Sequence, residues 1–221
     1  MISETGVGAG GTRNISGTSP YHHRLETALA DWHYHQHGLV FSSCYVANEN
    51  VIAQIAELAV KNGKKLHIIS DEKNHASMIQ GVLKACRTFP GYVEKSVFKH
   101  NDMDDLEAVL QSSYRDDIVP LVLFESVYSM EGDFGLVDEI SVLSKKYDAL
   151  TFCDEVHAVG LYGENGHGLC EPEHEIDFIT GTLGKALGSL GGYVTSNNAD
   201  FIEYFRLHCP GLIFTTSLQR V

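Results

Sequence analysis

Apolar residues recur along this chain alternately at helical spacing and in short strand-like runs. Leu25, Ala28, Leu29 and Trp32 follow the i, i+3, i+4, i+7 spacing of one helix face. The same spacing, with capping and stop residues, predicts further helices over about 44–61, 79–86, 102–110 and 138–147. Strands are predicted at 66–69, 93–98, 121–124, 149–153 and 178–179. Buried strands alternating with helices predict an α/β fold, a three-layer α/β/α sandwich around a mostly parallel sheet.

Composition and charge restrict what such a domain binds. The 221 residues carry a formal charge of −13 without a run of Lys or Arg, so a nucleic-acid or anionic-membrane surface is not expected. No apolar run reaches the ~20 residues that span a bilayer. The five cysteines are odd in number and lack C-x-x-C spacing. This pattern favours free thiols in a reducing compartment over a disulfide framework or a metal site.

Two sequence motifs suggest a dinucleotide site and a metal site, but their surroundings argue against both. Gly6–Gly11 satisfies G-x-G-x-x-G, but no strand pattern precedes it and loop residues follow, so we interpret it as a flexible turn, not a dinucleotide site. Histidines cluster at His22, His23 and His33–His37. Spacing of two scatters side chains over different faces of a helix. We therefore predict solvated histidines at helix ends and no metal site.

Polar residues follow three of the predicted strands where each apolar run ends. They are Glu125-Ser126, Asp154-Glu155, and Thr180-Gly181-Thr182 with Lys185 beyond. In parallel sheets of α/β proteins, ligands bind at the carboxyl ends of the strands. We therefore expect these groups to lie close together at one edge of the sheet.

Lys185 is the strongest candidate for chemistry. It lies among glycines and hydroxyl residues, where backbone can approach a ligand closely, although a surface loop gives the same local pattern. Asp154 strengthens the interpretation, because an aldehyde cofactor on a lysine needs an acid at its ring nitrogen. His157 could bond the ring oxygen and His75 could stack on the ring, but each histidine taken singly is more typical of a structural residue.

Five strings, in this order along the chain, resemble one family. They are GGTRNISGT at 10–18, SSCYVAN at 42–48, NHASMI at 74–79, DEVHAVGLYG at 154–163 and GTLGKALG at 181–188. Together they resemble the α-oxoamine synthases, which are pyridoxal-phosphate enzymes of fold-type I and class II aminotransferase architecture. The first and fourth strings are similar to the aminolevulinate-forming branch. SSCYVAN, with FTTSL at 214–218, looks most like mitochondrial members.

The resemblance implies a role for each matching residue. The catalytic group would be Lys185 as the Schiff-base lysine and later the base, Asp154 at the pyridine nitrogen, His157 at the phenolic oxygen and His75 stacked on the ring. The phosphate would be held by the amides of Cys44 and Tyr45 at a helix start, by Thr182, and by Thr215 or Thr216 across a homodimer interface. Ser126 would lie beside the cofactor or substrate. Substrate contacts would come from Thr12, Asn14, Ile15 and Ser70.

The implied reaction condenses glycine with succinyl-CoA to 5-aminolevulinate, CoA and CO2, the entry to haem synthesis. The implied location is the mitochondrial matrix, or alternatively a bacterial cytoplasm. A sister α-oxoamine synthase with another amino acid or acyl-CoA, and an inactive fragment that keeps the fold, are the other interpretations. Since the family extends beyond the matching strings, we expect residues 1–221 to be an incomplete large domain, with a substrate-loop segment at 1–20. The substrate-binding arginines of the family would lie outside it.

Overall fold

One sheet organises the fold. In the computed structural model, which describes residues 6–219, its strands are β1 His37–Phe41, β2 Lys65–Asp71, β3 Val93–Phe98, β4 Ile118–Glu125, β5 Leu150–Asp154, β6 Phe178–Thr182 and β7 Gly192–Ser196. Their order across the sheet is β1-β7-β6-β5-β4-β2-β3. β7 runs antiparallel to both of its neighbours, while all other adjacent pairs are parallel. The mostly parallel sheet expected from the sequence is confirmed.

Helices connect the strands and cover them. Within the described residues the α-helices are α1 Pro20–Trp32, α2 Cys44–Lys61, α3 Ala76–Thr88, α4 Met103–Ser113, α5 Val137–Lys146, α6 Ala199–His208 and α7 Pro210–Ile213, and there are also a π-helical turn at Arg13–Gly17 and a 3-10 turn at Pro172–His174. Local capping explains where several begin. The Asp102 carboxylate accepts the N–H of Asp105 at 3.0 Å before α4, and Ser43 Oγ accepts the N–H of Val46 at 3.2 Å before α2.

The pleat of each central strand divides its side chains between two helical layers. Leu121 and Leu123 pack into a core that includes residues of α2, α3 and α6, whereas Val122 and Phe124 pack into a core with residues of α4 and α5. Successive residues of a strand point to opposite faces, so a strand buried on both sides is apolar throughout. The expected three-layer α/β/α arrangement follows.

The carboxyl ends of the central strands lie side by side, as the sequence predicted. Glu125 of β4 is the register partner of Asp154 in β5, and Asp154 is in turn the partner of Thr180 in β6. Because register partners in a pleated sheet point to the same face, these polar groups share one side of the sheet edge.

The connection between β6 and β7 is a closed hairpin loop that carries Lys185. The N–H of Leu183 donates to the carbonyl of Gly191 at 3.0 Å, and the N–H of Ser189 donates to the carbonyl of Leu183 at 2.8 Å. A further bond joins the N–H of Gly188 to the carbonyl of Lys185 at 3.0 Å. The antiparallel direction of β7 therefore holds both ends of this loop at the same edge of the sheet.

The prediction that the clustered histidines are solvated is wrong for three of them. His22, His33 and His35 are all buried. His33 Nε2 lies 2.8 Å from the Tyr193 hydroxyl, and His35 Nδ1 lies 2.8 Å from Thr195 Oγ1. Burial lowers the pKa of His33 to about 3, so this imidazole is neutral. A neutral imidazole can be buried when polar groups of a neighbouring strand form hydrogen bonds with it.

Four of the labelled elements were not predicted from the sequence: β1, β7, α6 and α7. The two strands have five residues each and contain glycine, which leaves too short a pattern for periodicity to identify. Residues 6–12 contain neither a helix nor a strand, in line with the interpretation of the glycine-rich segment as a turn. Within residues 6–219, no helix combines the length and apolar character needed to cross a bilayer.

A buried ion pair fastens the segment before α1 to the edge of the sheet. Arg13 and Glu26 are both 4% exposed, and Arg13 Nη2 lies 2.8 Å from Glu26 Oε1. Arg13 also donates to the Val40 carbonyl at 3.1 Å, and Glu26 accepts the Val40 N–H at 3.0 Å. The pair therefore connects the 13–17 turn, α1 and β1.

We expect Arg13→Met to lower the free energy of unfolding by about 2–3 kcal/mol, because the buried Glu26 carboxylate loses its nearer cation. That carboxylate keeps the Val40 N–H and the longer 3.4 Å contact with Arg206. Urea denaturation followed by circular dichroism measures the change. The control is Arg24→Met on the exposed face of α1, for which a change of about 0.5 kcal/mol or less is expected. Equal effects of the two substitutions would contradict the assignment.

Candidate active site

A cavity of about 240 Å³ lies at the carboxyl ends of β4, β5 and β6. It is lined by Ser43, Cys44, Tyr45, Asn48, His75, Ser77, Glu125, Asp154, Val156, His157, Thr182 and Lys185. The lining brings an amine, two imidazoles, two carboxyl groups and the first turn of α2 into one concave site.

The amine of Lys185 is directed at His157. Lys185 belongs to an exposed loop, yet its Nζ lies 2.6 Å from His157 Nε2. Partial burial of the amine lowers the pKa of Lys185, and the negative charge of Asp154 opposes that shift. Partial burial, followed by the nearby Lys185 charge, lowers the pKa of His157. Both shifts increase the neutral fraction of the Lys185 amine and of the His157 imidazole. A neutral amine is the form that attacks a carbonyl carbon.

Asp154 is a buried carboxyl group held by two donors. It is 3% exposed, and it accepts Asn48 Nδ2 at 2.7 Å and the N–H of Val156 at 2.9 Å. Burial raises the pKa of Asp154, while these two donors favour the ionised form. A cationic group in the cavity would stabilise the carboxylate further. A protonated ring nitrogen is a cation of this kind.

His75 is fixed by the start of α3. Its Nδ1 accepts the N–H of Ser77 at 3.2 Å and lies 2.8 Å from Ser77 Oγ. Its ring meets the ring of Tyr45 edge to face, with centroids 6.4 Å apart. The imidazole is thus held at the rim of the cavity in a defined orientation.

The first turn of α2 offers backbone donors to the cavity. Val46 and Ala47 donate to Ser43, which leaves the amides of Cys44 and Tyr45 without an intrahelical acceptor. The helix start comes unusually close to β7, because a Cβ at Gly192 would lie 2.0 Å from the Cys44 nitrogen. Only glycine permits this approach. Free amides at a helix start form a site for an anion such as a phosphate.

Most of the residues predicted for the cofactor line this cavity together. They are Cys44, Tyr45, His75, Asp154, His157, Thr182 and Lys185. Ser126 and Ser70 are buried and do not line it. The Ser126 hydroxyl donates to Glu155 at 2.5 Å, and Ser70 Oγ accepts Asn74 Nδ2 at 2.9 Å. In this structure both serines therefore support the strand ends, and their assignment to cofactor or substrate stays a prediction.

The predicted substrate loop and the predicted partner-phosphate residues lie elsewhere. Thr215 and Thr216 line a separate cleft that also includes Arg13. Asn14 donates to the carbonyl of Arg206 at 2.8 Å, and Ile15 is 86% exposed. Thr12, like these residues, does not line the cavity beside Lys185. Within one chain, these groups do not meet the lysine.

The sequence analysis assigned no role in the site to five lining residues, although it placed Glu125 near Asp154 at the sheet edge; they are Ser43, Asn48, Ser77, Glu125 and Val156. Asn48 holds Asp154, and Glu125 stands beside it in register. Asn48 lies within the SSCYVAN string, but a single amide in a helix has no chemical pattern of its own. Glu125 ends an apolar strand, as Asp154 does, and that position was the available signal.

A cluster behind the cavity brings sulfur and carboxylate atoms together. Ligand atoms of Cys153, Glu155 and Cys170 lie within 4.8 Å of one another. The Glu155 carboxylate already accepts the N–H groups of Leu169 and Cys170 at 2.9 and 2.7 Å. Burial raises the pKa of Cys153 to about 11, so its thiol is protonated. We interpret the cluster as a hydrogen-bonded part of the core.

Lys185 follows a parallel strand and faces an imidazole, with a buried acid at the neighbouring strand end. This arrangement agrees with the pyridoxal-phosphate site that the sequence resemblance implies. The family model for class I and II aminotransferases matches residues 2–221. The chain therefore belongs to the class I and II aminotransferase family, whose cofactor is pyridoxal 5′-phosphate.

Curated relatives resemble the chain over its whole length. 5-Aminolevulinate synthase 1 of Cereibacter sphaeroides is 47% identical over 223 residues, which cover 100% of this chain and 52% of the relative. The erythroid-specific mitochondrial 5-aminolevulinate synthase of Homo sapiens is 47% identical over 220 residues, or 98% of this chain and 35% of the relative. The chain thus spans about half or less of these relatives.

Solved structures show the same fold. A variant of serine palmitoyltransferase from S. paucimobilis with a bound PLP–myriocin aldimine superposes with a TM-score of 0.86 at 35% identity, over 99% of this chain and 54% of the other. A serine palmitoyltransferase with its PLP internal aldimine gives a TM-score of 0.85 at 36% identity, over 99% and 52% of the two chains.

We expect Asn48→Ala to weaken pyridoxal-phosphate binding by about tenfold, because the Asp154 carboxylate loses a donor. A hydrogen bond to a charged group contributes about 1.5–3 kcal/mol. Fluorescence titration of the purified chain measures the dissociation constant. The control is Asn62→Ala at the end of the same helix, where the side chain donates only to the Leu58 carbonyl. Equal affinities of the two variants for pyridoxal phosphate would show that the hydrogen bond from Asn48 to Asp154 does not contribute to cofactor binding.

Proposed function

We propose that the protein containing this chain condenses glycine with succinyl-CoA to form 5-aminolevulinate, CoA and CO2. The observation that carries the proposal is that one cavity unites Lys185, Asp154, His157 and His75 in a chain 47% identical to named 5-aminolevulinate synthases. The activity belongs to the whole protein, of which these residues form the cofactor-binding part. Residues 1–221 then represent an incomplete large domain.

Pyridoxal phosphate, when bound, supplies an electron sink that stabilises negative charge on the α-carbon of an amino acid. The chain's residues position it. The Cys44 and Tyr45 amides and the Thr182 hydroxyl would bind the phosphate, and Asp154 would keep a proton on the ring nitrogen. His157 would donate to the phenolic oxygen, and His75 would stack on the ring face. Each role agrees with where the side chain lies around the cavity.

Lys185 has two tasks in this proposal. Its amine would hold the cofactor by condensing with the aldehyde group, with loss of water. When free, the same amine would take a proton from the glycine α-carbon, because it remains beside the reacting atoms. The lowered pKa of Lys185 suits both tasks, since each needs the neutral amine.

We further propose that the site is completed in a homodimer. Thr12, Asn14 and Ile15, and likewise Thr215 and Thr216, are separate from the Lys185 cavity of their own chain. A second copy can bring them to that cavity. Ile15 and Phe214 are 86% and 82% exposed, and they lie on or next to the contacting segments 13–17 and 210–213. An exposed apolar patch of this kind supports an interface on this surface.

The cellular location of the protein is proposed from the names of its relatives. Eukaryotic relatives are named mitochondrial, and relatives from Cereibacter and Paracoccus are bacterial. We propose the mitochondrial matrix, with a bacterial cytoplasm as the alternative.

Borohydride reduction of the chain with pyridoxal phosphate should attach a pyridoxyl group to Lys185. The reason is that the Lys185 amine points into the cavity beside His157. Peptide mapping by mass spectrometry identifies the labelled lysine, and Lys185→Ala should lose the label. Lys145, an exposed lysine whose Nζ donates to the Glu173 carbonyl, is the internal control. A label at Lys145 in place of Lys185 would refute the assignment.

A panel of acyl-CoA donors tests the reaction. With glycine, we expect succinyl-CoA to be the preferred donor of the whole protein, and aminolevulinate to be the product. The resemblance to serine palmitoyltransferase in fold makes serine with a long-chain acyl-CoA the comparison pair, and preference for that pair would establish the sister enzyme. Residues 1–221 alone should give little aminolevulinate, since they span about half of the relatives. Turnover by this chain equal to that of the Cereibacter enzyme would contradict that expectation.

A further inference from the structure

Glu125 is a buried carboxyl group with an unused oxygen in the candidate active site. The residue is 3% exposed and lines the cavity beside Lys185. Its Oε1 has no hydrogen-bond partner among the described residues. Buried polar atoms without partners are rare in folded proteins. An oxygen in this position therefore points to a partner that arrives with the bound molecule.

Glu125 and Asp154 form an unequal pair of acids. They are register partners at the ends of β4 and β5. Asp154 accepts two donors, Asn48 Nδ2 and the N–H of Val156, whereas the donor facing Glu125 is the His75 backbone N–H. Two adjacent buried carboxyl groups do not both ionise. Because Asp154 accepts more hydrogen-bond donors, the pair favours the charge on Asp154 and the proton on Glu125.

The surroundings of Glu125 agree with this distribution of charge. The titratable groups that face it are Asp154 and Cys153 on β5, Asp71 on β2, Lys185 on the hairpin loop, Cys44 on α2 and Tyr128 after β4. Burial first, and then Asp154, raise the pKa of Glu125 to about 8, with the opposing Lys185 charge insufficient to reverse the shift.

We propose that Glu125 is a neutral carboxylic acid in the active site, and that its proton is donated in a hydrogen bond to an oxygen of the cofactor or of the amino-acid substrate. The proposal rests on the proposed function for the identity of these ligands. It adds Glu125 to the binding residues and gives the two neighbouring acids different roles. Asp154 carries charge, and Glu125 supplies a neutral donor.

The first test needs no cofactor. Glu125 is ionised in the unfolded chain above about pH 4.5 and protonated in the folded chain up to about pH 8. Stability from the protonated form is therefore complete below pH 4.5 and is lost as pH rises to about 8. The urea midpoint of Glu125→Gln, minus that of the wild type, should rise from pH 5 to 8 and then level off. Glu164→Gln, in an exposed loop, should follow the wild type throughout.

The second test asks what the proton binds. At pH 7, Glu125→Ala should weaken binding about tenfold or more, and Glu125→Gln, which keeps a neutral donor, should stay within about threefold of the wild type. Titration with pyridoxal phosphate alone tests the cofactor, and titration of the loaded chain with glycine tests the substrate. The titration that responds identifies the acceptor.

Each contrary result is decisive. A midpoint difference that does not change with pH would show that Glu125 is ionised in the folded chain. Equal losses in Glu125→Gln and Glu125→Ala would show that the charge is required, and no loss in either titration would remove Glu125 from the binding residues. Failure of Lys185 labelling would instead overturn the proposed function, while the pH series would still report the state of Glu125.

Discussion

The site depends on hydrogen bonds to the Asp154 carboxylate, which the sheet buries away from water. Asp154 ends a strand that is covered on both faces, so its charge is tolerated only if donors from other elements reach it. Asn48 supplies one from α2. That helix can approach the sheet because Gly192 leaves room for its first turn. The acid, the helix start and the cavity between them are thus consequences of a single close contact.

The residues that the sequence analysis assigned to the site lie on two surfaces of this chain. The cavity at the strand ends contains the amine, the imidazoles and the acids, while the turn at 13–17 and the segment at 215–216 lie against another cleft. The buried Arg13–Glu26 pair holds that second surface to the sheet. Its rigidity matters if the surface serves a neighbouring copy, because a residue that acts across an interface must be positioned by its own chain.

The sequence predicted the layers and much of the cavity because the relevant patterns are long or chemically distinct. Buried parallel strands give continuous apolar runs, and Lys185 follows one of them among glycines. The five-residue strands β1 and β7 were not predicted, since burial on both faces removes alternation and their length removes periodicity. Glu125 and Asn48 gain meaning only when the fold brings them to Asp154. The buried histidines were misjudged because their partners, such as Tyr193, lie about 160 residues away in sequence.

The hairpin that carries Lys185 has a kinetic consequence. Because the loop is closed at its base by the bonds between Leu183, Ser189 and Gly191, the lysine is a short tether and not the tip of a mobile arm. An amine that releases its carbonyl partner on such a tether stays at a high effective concentration beside it. Recapture is then intramolecular and competes with diffusion of the aldehyde into water. Under the proposed function, the one antiparallel strand of the sheet, by turning the chain back, would favour retention of a cofactor held at Lys185 over many reaction cycles.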